Sequence, residues 1–112
     1  MIVPEVIRER LVIEFTTRLD VFSPELQKQF LVALSEVLGL HIFYRPYVLS
    51  SPTGTSGFVG WRVEESGCQI HSWRAFGLVA VDVFSCLNID QEKVLDLVSR
   101  YFQPEKIETR RV

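Results

Sequence analysis

Apolar residues at three- and four-residue steps indicate a first helix that begins near Ser23. One face of this helix would carry Leu26, Phe30, Leu34, Val37 and Leu38. Such a stripe is typical of a helix that packs against a core. The Ser23 hydroxyl can cap the helix, and Pro24 follows at the first helical position, where its missing N–H does no harm. Gly39 suits the left-handed residue that commonly ends a helix.

A second apolar stripe lies toward the end of the chain. It consists of Val94, Leu97, Val98 and Tyr101. These positions follow the i, i+3, i+4, i+7 spacing of one helix face. Asn88 or Asp90 can cap this helix, and Pro104 ends it because proline cannot continue a helical ladder.

Segments rich in β-branched and aromatic residues predict strands. They cover residues 11–15, 40–49, 58–64, 68–73 and 78–85, with a short final strand at 106–110. Pro46 cannot donate to a ladder, so the second segment is expected at a sheet edge or a bulge. The composition of residues 50–57 predicts a loop, Glu65-Ser66-Gly67 predicts a turn, and residues 110–112 are expected to form a solvated tail.

Neighbouring strands with short connections indicate an antiparallel sheet, and each helix needs a cover for its apolar face. The order of elements therefore predicts an α+β fold, a two-layer sandwich with both helices on one face of the sheet. At 112 residues, the chain is expected to form a single domain over 1–112.

Alternation along the strand at 78–85 assigns side chains to the two faces of this sheet. The helix-facing side would carry Val79, Val81, Val83 and Ser85. The opposite side would carry Ala80, Asp82, Phe84 and Cys86. That second face can support a pocket or pack against another protomer.

The composition narrows the classes of function. Apolar residues make up 47% and charged residues 23% of the chain, which is typical of a globular protein. The formal charge of −2 gives no basic patch for nucleic acid. The first residues lack the pattern of a signal peptide and no apolar run could cross a bilayer, so a cytoplasmic protein without membrane contact is expected. Two cysteines without a C-x-x-C motif are expected to be reduced thiols, and no metal site is expected.

Reactive side chains concentrate between residues 63 and 86. They are Ser66, His71, Asp82 and Cys86. Each also has a structural interpretation, because serine is common in turns, a strand histidine is often held by hydrogen bonds and a buried cysteine behaves as a small apolar residue. A Ser-His-Asp hydrolase is disfavoured because G-x-S-x-G is absent. A zinc site is disfavoured because Cys68 and His71, three residues apart, would point to opposite faces of a strand.

Four segments occur in an order and at a spacing known from one protein family. They read Ser51-Pro52-Thr53-Gly54-Thr55-Ser56-Gly57, Glu65-Ser66, Ile70-His71-Ser72-Trp73 and Ala80-Val81-Asp82-Val83-Phe84-Ser85-Cys86. On these segments the chain resembles the prokaryotic S-adenosylmethionine decarboxylases. The resemblance covers most of the chain and implies the fold of that family.

In that family a Glu-Ser bond cuts itself, and the serine becomes the pyruvoyl cofactor of a decarboxylase. The resemblance implies cleavage between Glu65 and Ser66, with His71 as the processing base and Cys86 as the thiol that returns a proton to the product. Cys86 lies twenty residues after Ser66, which is the spacing in the family. Ser56 lies ten residues before Ser66, two more than in the family, and could support the site if the hairpin is longer. The implied enzyme acts in polyamine biosynthesis on an amino-acid-like small molecule, and we expect a homodimer or a pair with a homologue.

Three positions depart from the family pattern. Ser50 stands where an aromatic residue stacks on adenine, Ala75 where a glutamate holds the ribose, and Gly67 where a histidine is usual. S-adenosylmethionine and a basic amino acid such as arginine or ornithine are therefore alternative substrates. Asp82 or Glu64 could pair with a basic side chain. A non-catalytic binding or regulatory homologue is the alternative function.

Overall fold

The computed structural model of the protein describes residues 9–62, 66–86 and 88–111. These residues form six strands and two α-helices. In chain order they are β1 (Glu9–Thr16), α1 (Pro24–Val37), β2 (Ile42–Ser51), β3 (Gly54–Trp61), β4 (Gly67–Trp73), β5 (Leu78–Ser85), α2 (Gln91–Phe102) and β6 (Lys106–Arg111), with a 3₁₀ turn at Arg74–Phe76 between β4 and β5.

The strands form one antiparallel sheet in the order β2-β3-β4-β5-β1-β6. This arrangement confirms the predicted α+β fold with an antiparallel sheet. β2 lies at the edge and its pairing with β3 shifts register around Tyr44, so the edge and irregular pairing expected from Pro46 are both present. β6 extends to Arg111, so the prediction of a solvated tail from Arg110 onward was wrong for Arg110 and Arg111, which are exposed but belong to a strand; Val112 lies outside the described residues. These two arginines are in a strand because they pair with β1, and such strand contacts outweigh a polar composition.

One face of the sheet is buried under the two helices. Val79, Val81 and Val83 of β5 are fully buried, as the alternation predicts. They share a core with side chains from β1, α1 and α2, namely Leu11, Ile13, Phe15, Phe30, Leu31, Leu34, Val94, Val98 and Phe102. Each such side chain stabilises the fold by about 1.5–3 kcal/mol through removal from water.

Both helices begin at the predicted capping residues. The Ser23 hydroxyl accepts the backbone N–H of Leu26 at 3.3 Å, with Pro24 at the first helical position. Of the two candidates for α2, Asp90 is the cap, and its carboxylate accepts the N–H of Lys93 at 3.3 Å. Among the described residues, no helix is both long enough and apolar enough to cross a membrane.

The prediction of a loop over residues 50–57 was wrong. β2 continues to Ser51 and β3 starts at Gly54, so that only Pro52 and Thr53 connect them. Serine, threonine and glycine are favoured in turns, but here the glycine is required by close packing. A Cβ on Gly54 would collide with the backbone carbonyl of Ser72 on β4.

A buried polar network joins α1 to the middle of the sheet. Gln27 is fully buried, and its side-chain amide donates to the carbonyl of Val21 at 3.0 Å. The Thr55 hydroxyl donates to Oε1 of Gln27 at 2.6 Å and lies 2.6 Å from the Ser72 hydroxyl. Because buried polar groups are costly unless paired, this network holds α1 against β3 and β4 at one defined position.

Candidate active site

Ser66 lies at the start of β4 with its hydroxyl on the helix side of the sheet. β4 begins at Gly67, which is paired with Phe84 of β5, and the N–H of Trp61 donates to the carbonyl of Ser66 at 3.1 Å. Ser66 therefore continues the strand and stands opposite Ser85. Its Oγ donates to Oγ of Ser85 at 3.2 Å, and the two residues are only 6% and 5% exposed.

Cys86 follows Ser85 directly and is half-buried. Continued alternation along β5 turns its side chain toward the face opposite the helices. Ser66 and Cys86 therefore lie at the same end of β4 and β5 but on opposite faces of the sheet, and we call this group, with Ser85, the Ser66 end. Glu64 and Glu65, the latter carrying the first half of the predicted cleavage bond, lie outside the described residues.

Gly67 belongs to a strand, so the prediction that it forms part of a turn was wrong. It shares the open face with the rings of Phe58 and Phe84, which stack with their centroids 6.4 Å apart. A Cβ on Gly67 would come within 3.1 Å of the Phe58 ring and 2.6 Å of the carbonyl of Val59. Close packing, not turn geometry, accounts for glycine at this position.

His71 and Ser56 form a second group at the other end of β4. They are direct cross-strand partners, so Ser56 does lie beside the histidine. The imidazole is half-buried and lies 6.3 Å from the ring of Trp73 between centroids. Ser50 and these residues line a cavity of about 280 Å³ at the β2–β3 hairpin. We call this group the His71 end.

The two ends are far apart within one chain. His71 is five residues beyond Ser66, which at the rise of a β-strand is roughly 16 Å. An odd separation also places the two side chains on opposite faces. The residues predicted to act together as nucleophile and base are therefore not adjacent in a single copy of the chain.

Asp82 is paired within the chain. Its carboxylate accepts three hydrogen bonds from the Arg10 guanidinium, the shortest at 2.7 Å. The hydrogen bond and the charge of Asp82 together raise the pKa of Arg10. The predicted role of Asp82 as partner of a basic substrate would require it to share or exchange this arginine.

The zinc hypothesis gains no support in the described ranges, where no group of three or more His, Cys, Asp or Glu is placed to hold a metal ion. Cys68 lies fully buried on the helix side, while its strand neighbour His71 is on the other face. The two side chains therefore point to opposite faces of β4, as the sequence predicts.

Two partners of the candidate residues were missed in the sequence. Ser85 was assigned only to the helix-facing side, although a serine after three alternating valines interrupts an apolar pattern and could have indicated a polar partner. Arg10 could not have been found by spacing, because it reaches Asp82 from β1, 72 residues away. Only the pairing of β1 with β5 brings them together.

The sequence profile of the S-adenosylmethionine decarboxylase family matches residues 12–112. The chain belongs to this family. Its match covers nearly all of the described structure, including both ends of β4.

Two curated relatives in the family are archaeal. The chain is 37% identical over 60 residues to an S-adenosylmethionine decarboxylase proenzyme of Archaeoglobus fulgidus, covering 53% of this chain and 52% of that protein. It is 39% identical over 56 residues to the corresponding proenzyme of Pyrococcus horikoshii, covering 49% of this chain and 39% of that protein. The matched segment thus spans about half or less of the length of these relatives.

A solved structure shows the same fold. The adenosylmethionine decarboxylase of Aquifex aeolicus VF5 superposes with a TM-score of 0.79 over 96% of this chain and 89% of that one. At 17% sequence identity this likeness concerns the fold alone.

The two cysteines of this family member should differ in reactivity. Burial, followed by the charge of Asp82, raises the pKa of the Cys68 thiol, so little thiolate forms there at neutral pH. Cys86 is half-buried and accessible from the open face. In the Ser66→Ala chain, iodoacetamide should alkylate Cys86 about tenfold or more faster than Cys68. Peptide mass spectrometry measures both rates.

The matched control is the Ser66→Ala/Cys86→Ser chain, which should stay unlabelled when folded and become labelled at Cys68 in urea. Equal labelling of the two thiols in the folded chain would contradict the assignment of Cys68 to the core.

Proposed function

We propose that the chain is a pyruvoyl-dependent decarboxylase that cuts itself between Glu65 and Ser66 and acts in polyamine biosynthesis in the cytoplasm. The observation that carries the proposal is the buried Ser66 hydroxyl, held by Ser85 at the start of β4. Family membership supports a decarboxylase, and this geometry supports Ser66 as the residue that reacts.

Self-cleavage uses the chain's own atoms and water. Oγ of Ser66 attacks the carbonyl carbon of Glu65, the C–N bond breaks, and the hydroxyl proton ends on the nitrogen of Ser66, leaving an ester. A base removes the α-proton of Ser66, and the Cβ–O bond breaks to release the carboxylate of Glu65. Water then replaces nitrogen at the resulting dehydroalanine, and ammonia leaves.

The residues at the Ser66 end fit the group that this reaction would produce. A pyruvoyl group supplies an electron-accepting carbonyl for loss of carbon dioxide from an amino acid. Ser66 would be its source, at a position shielded from bulk water by burial. Cys86 lies at the same end of the sheet on the open face and is half-buried, which supports its proposed role as the proton donor.

The separation of the two ends supports a site made from two copies of the chain. A two-fold axis across the open face of the sheet would place the Ser66 end of one copy over the His71 end of the other, and would do so twice. Because the Ser66 hydroxyl points to the helix side, His71 of the second copy would reach it around the end of β4. His71 and Ser56 of the second copy would then supply the base and a polar side chain, while Ser66 and Cys86 come from the first. This arrangement gives the predicted homodimer a chemical reason.

S-adenosylmethionine is the first substrate to test, because the relatives in the family are named for it. A basic amino acid is the second candidate, since Ser50 lines the cavity at the His71 end and offers no aromatic ring for adenine. Ala75 is exposed in the turn after β4 and offers no carboxylate for a ribose. The Asp82–Arg10 pair counts against Asp82 as the anchor of a basic side chain.

The first prediction of this proposal is that the purified chain of 12.9 kDa separates into two pieces, residues 1–65 and 66–112. The second piece should lack an ordinary amino terminus. Intact mass spectrometry measures both. Ser66→Ala should remain whole because it lacks the attacking oxygen. A wild-type chain that stays intact, or a Ser66→Ala chain that is cut equally, would favour the non-catalytic homologue instead.

The second prediction concerns the substrate. Cleaved protein should release carbon dioxide from carboxyl-labelled S-adenosylmethionine, arginine or ornithine, assayed in parallel, and Ser66→Ala should release none. Turnover of S-adenosylmethionine alone would eliminate the basic amino acids as substrates. Turnover of arginine or ornithine alone would support the interpretation that Ser50 and Ala75 have removed the contacts to adenosine. Cleaved protein that turns over none of the three would contradict both substrate proposals.

The third prediction is complementation between two inactive chains. His71→Ala and Ser66→Ala chains, co-expressed with different tags, should produce cleavage of the His71→Ala chain, because its Ser66 meets the intact His71 of its partner. Each variant alone should stay uncut. The matched control replaces the partner by the double variant Ser66→Ala/His71→Ala, which should restore nothing. An uncut mixture would contradict a site shared in this way.

A further inference from the structure

We propose that Ser85 positions the Ser66 hydroxyl for its attack on the preceding carbonyl. The inference rests on the proposed self-cleavage and adds a residue to it. Ser85 lies on β5 within the segment that ends at Cys86, but no role was predicted for it, and its role follows from its contact with Oγ of Ser66.

The position of Ser85 in the sheet is unusual for a polar residue. Val79, Val81 and Val83 precede it on the same face and are fully buried, while Ser85 is 5% exposed. A hydroxyl in such a place costs stability unless it has a partner, and a fourth valine would extend the core. The Ser66 hydroxyl, equally buried on the neighbouring strand, is such a partner.

The backbone determines where the two hydroxyls meet. Gly67 pairs with Phe84, and the N–H of Trp61 binds the carbonyl of Ser66, so both neighbouring strands hold this residue. Its Cα is fixed by the sheet, and the torsion about Cα–Cβ is the main remaining freedom of its side chain. The 3.2 Å hydrogen bond to Ser85 favours one rotamer of that torsion.

That rotamer matters because the attack closes a five-membered ring through Oγ, Cβ, Cα and N of Ser66 and the carbonyl carbon of Glu65. Only part of the torsional range brings Oγ to the carbon, so a side chain held within that part reacts faster than a free one, and the inference assigns the rotamer held by Ser85 to that part. The hydroxyl donates its hydrogen to Ser85, so this contact does not use an acceptor site of the attacking oxygen. Ser85 is itself neutral and accepts no net proton, because the hydroxyl proton ends on the nitrogen of Ser66.

A cavity of about 240 Å³ adjoins Ser85 on the helix side, with Trp61, Asn88 and Lys93 also in its wall. It has two uses in a test. It provides room for the extra methyl group of a threonine at position 85. It also lets a small nucleophile such as hydroxylamine reach Ser85, the hydrogen-bond partner of Ser66, and hydroxylamine cleaves an ester far faster than an amide.

The experiment compares Ser85→Ala and Ser85→Thr with wild type, following loss of intact chain by mass spectrometry with and without hydroxylamine. Ser85→Ala should be cut about tenfold or more slowly under both conditions, because less ester forms when the hydrogen bond is lost. Ser85→Thr keeps the hydroxyl and should be cut at close to the wild-type rate. If Ser85→Ala does not fold, Ser85→Cys replaces it, and its weaker acceptor should also slow cleavage.

The matched control is Thr17→Val, which removes a buried hydroxyl that donates to the carbonyl of Phe102 at 2.7 Å, away from Ser66. It should lower the unfolding midpoint without slowing cleavage, so that lost stability alone cannot explain the Ser85→Ala result. Cleavage of Ser85→Ala at the wild-type rate or faster would overturn the inference while leaving self-cleavage intact. So would slow cleavage in buffer that hydroxylamine restores fully, since Ser85 would then act after the ester. A wild-type chain that is never cut overturns the proposed function and this inference together.

Discussion

The pairing of β4 with β3 and β5 is the constraint on which the candidate site depends. Because the strand is straight and its side chains alternate, this one register assigns Ser66 to the helix side and His71 to the open side, roughly 16 Å away. A shift by one residue would exchange every side chain between the core and the open face, and the buried Cys68 and Ile70 oppose such a shift. The register is therefore protected by the same residues that stabilise the fold.

The two faces of the sheet consequently serve different purposes. The helix side is a continuous apolar core in which the rings of Phe15, Phe30 and Phe102 join β1, α1 and α2. The open side is mixed, with the Arg10–Asp82 ion pair and the stacked rings of Phe58 and Phe84. Such a surface is suited to contact with a second copy of the chain, because it offers apolar area together with groups that fix orientation. On the proposed function, the face left uncovered by the helices is where the chemistry is completed.

The buried polar groups of the core lie behind the two ends of β4. Gln27, Thr55 and Ser72 form a network behind the His71 end, and Ser85 contacts Ser66 at the other end. A satisfied polar network holds its members more specifically than apolar packing does, because any displacement leaves a buried group unpaired. These hydroxyls and amides thus give both ends of the strand a defined geometry, and one of them, Gln27, belongs to no motif of the family resemblance.

Local pattern in the sequence was enough to predict the helices, their caps, the face of β5 that meets them and the family, because each depends on residues close together in the chain. Asp90 rather than Asn88 as a cap, and strand rather than loop at residues 54–57, were decided by backbone contacts that composition does not encode. The residue types Ser66, His71 and Cys86 could be selected from motif spacing, whereas their division between two ends of β4 could not. Motif spacing gives only the number of residues between two positions. On a strand, the five residues from Ser66 to His71 place the two side chains on opposite faces and too far apart for contact. Hydrogen bonds form between neighbours in space, not in sequence. The contact of Ser66 with Ser85, and that of Asp82 with Arg10, could therefore be found only after distant strands were paired.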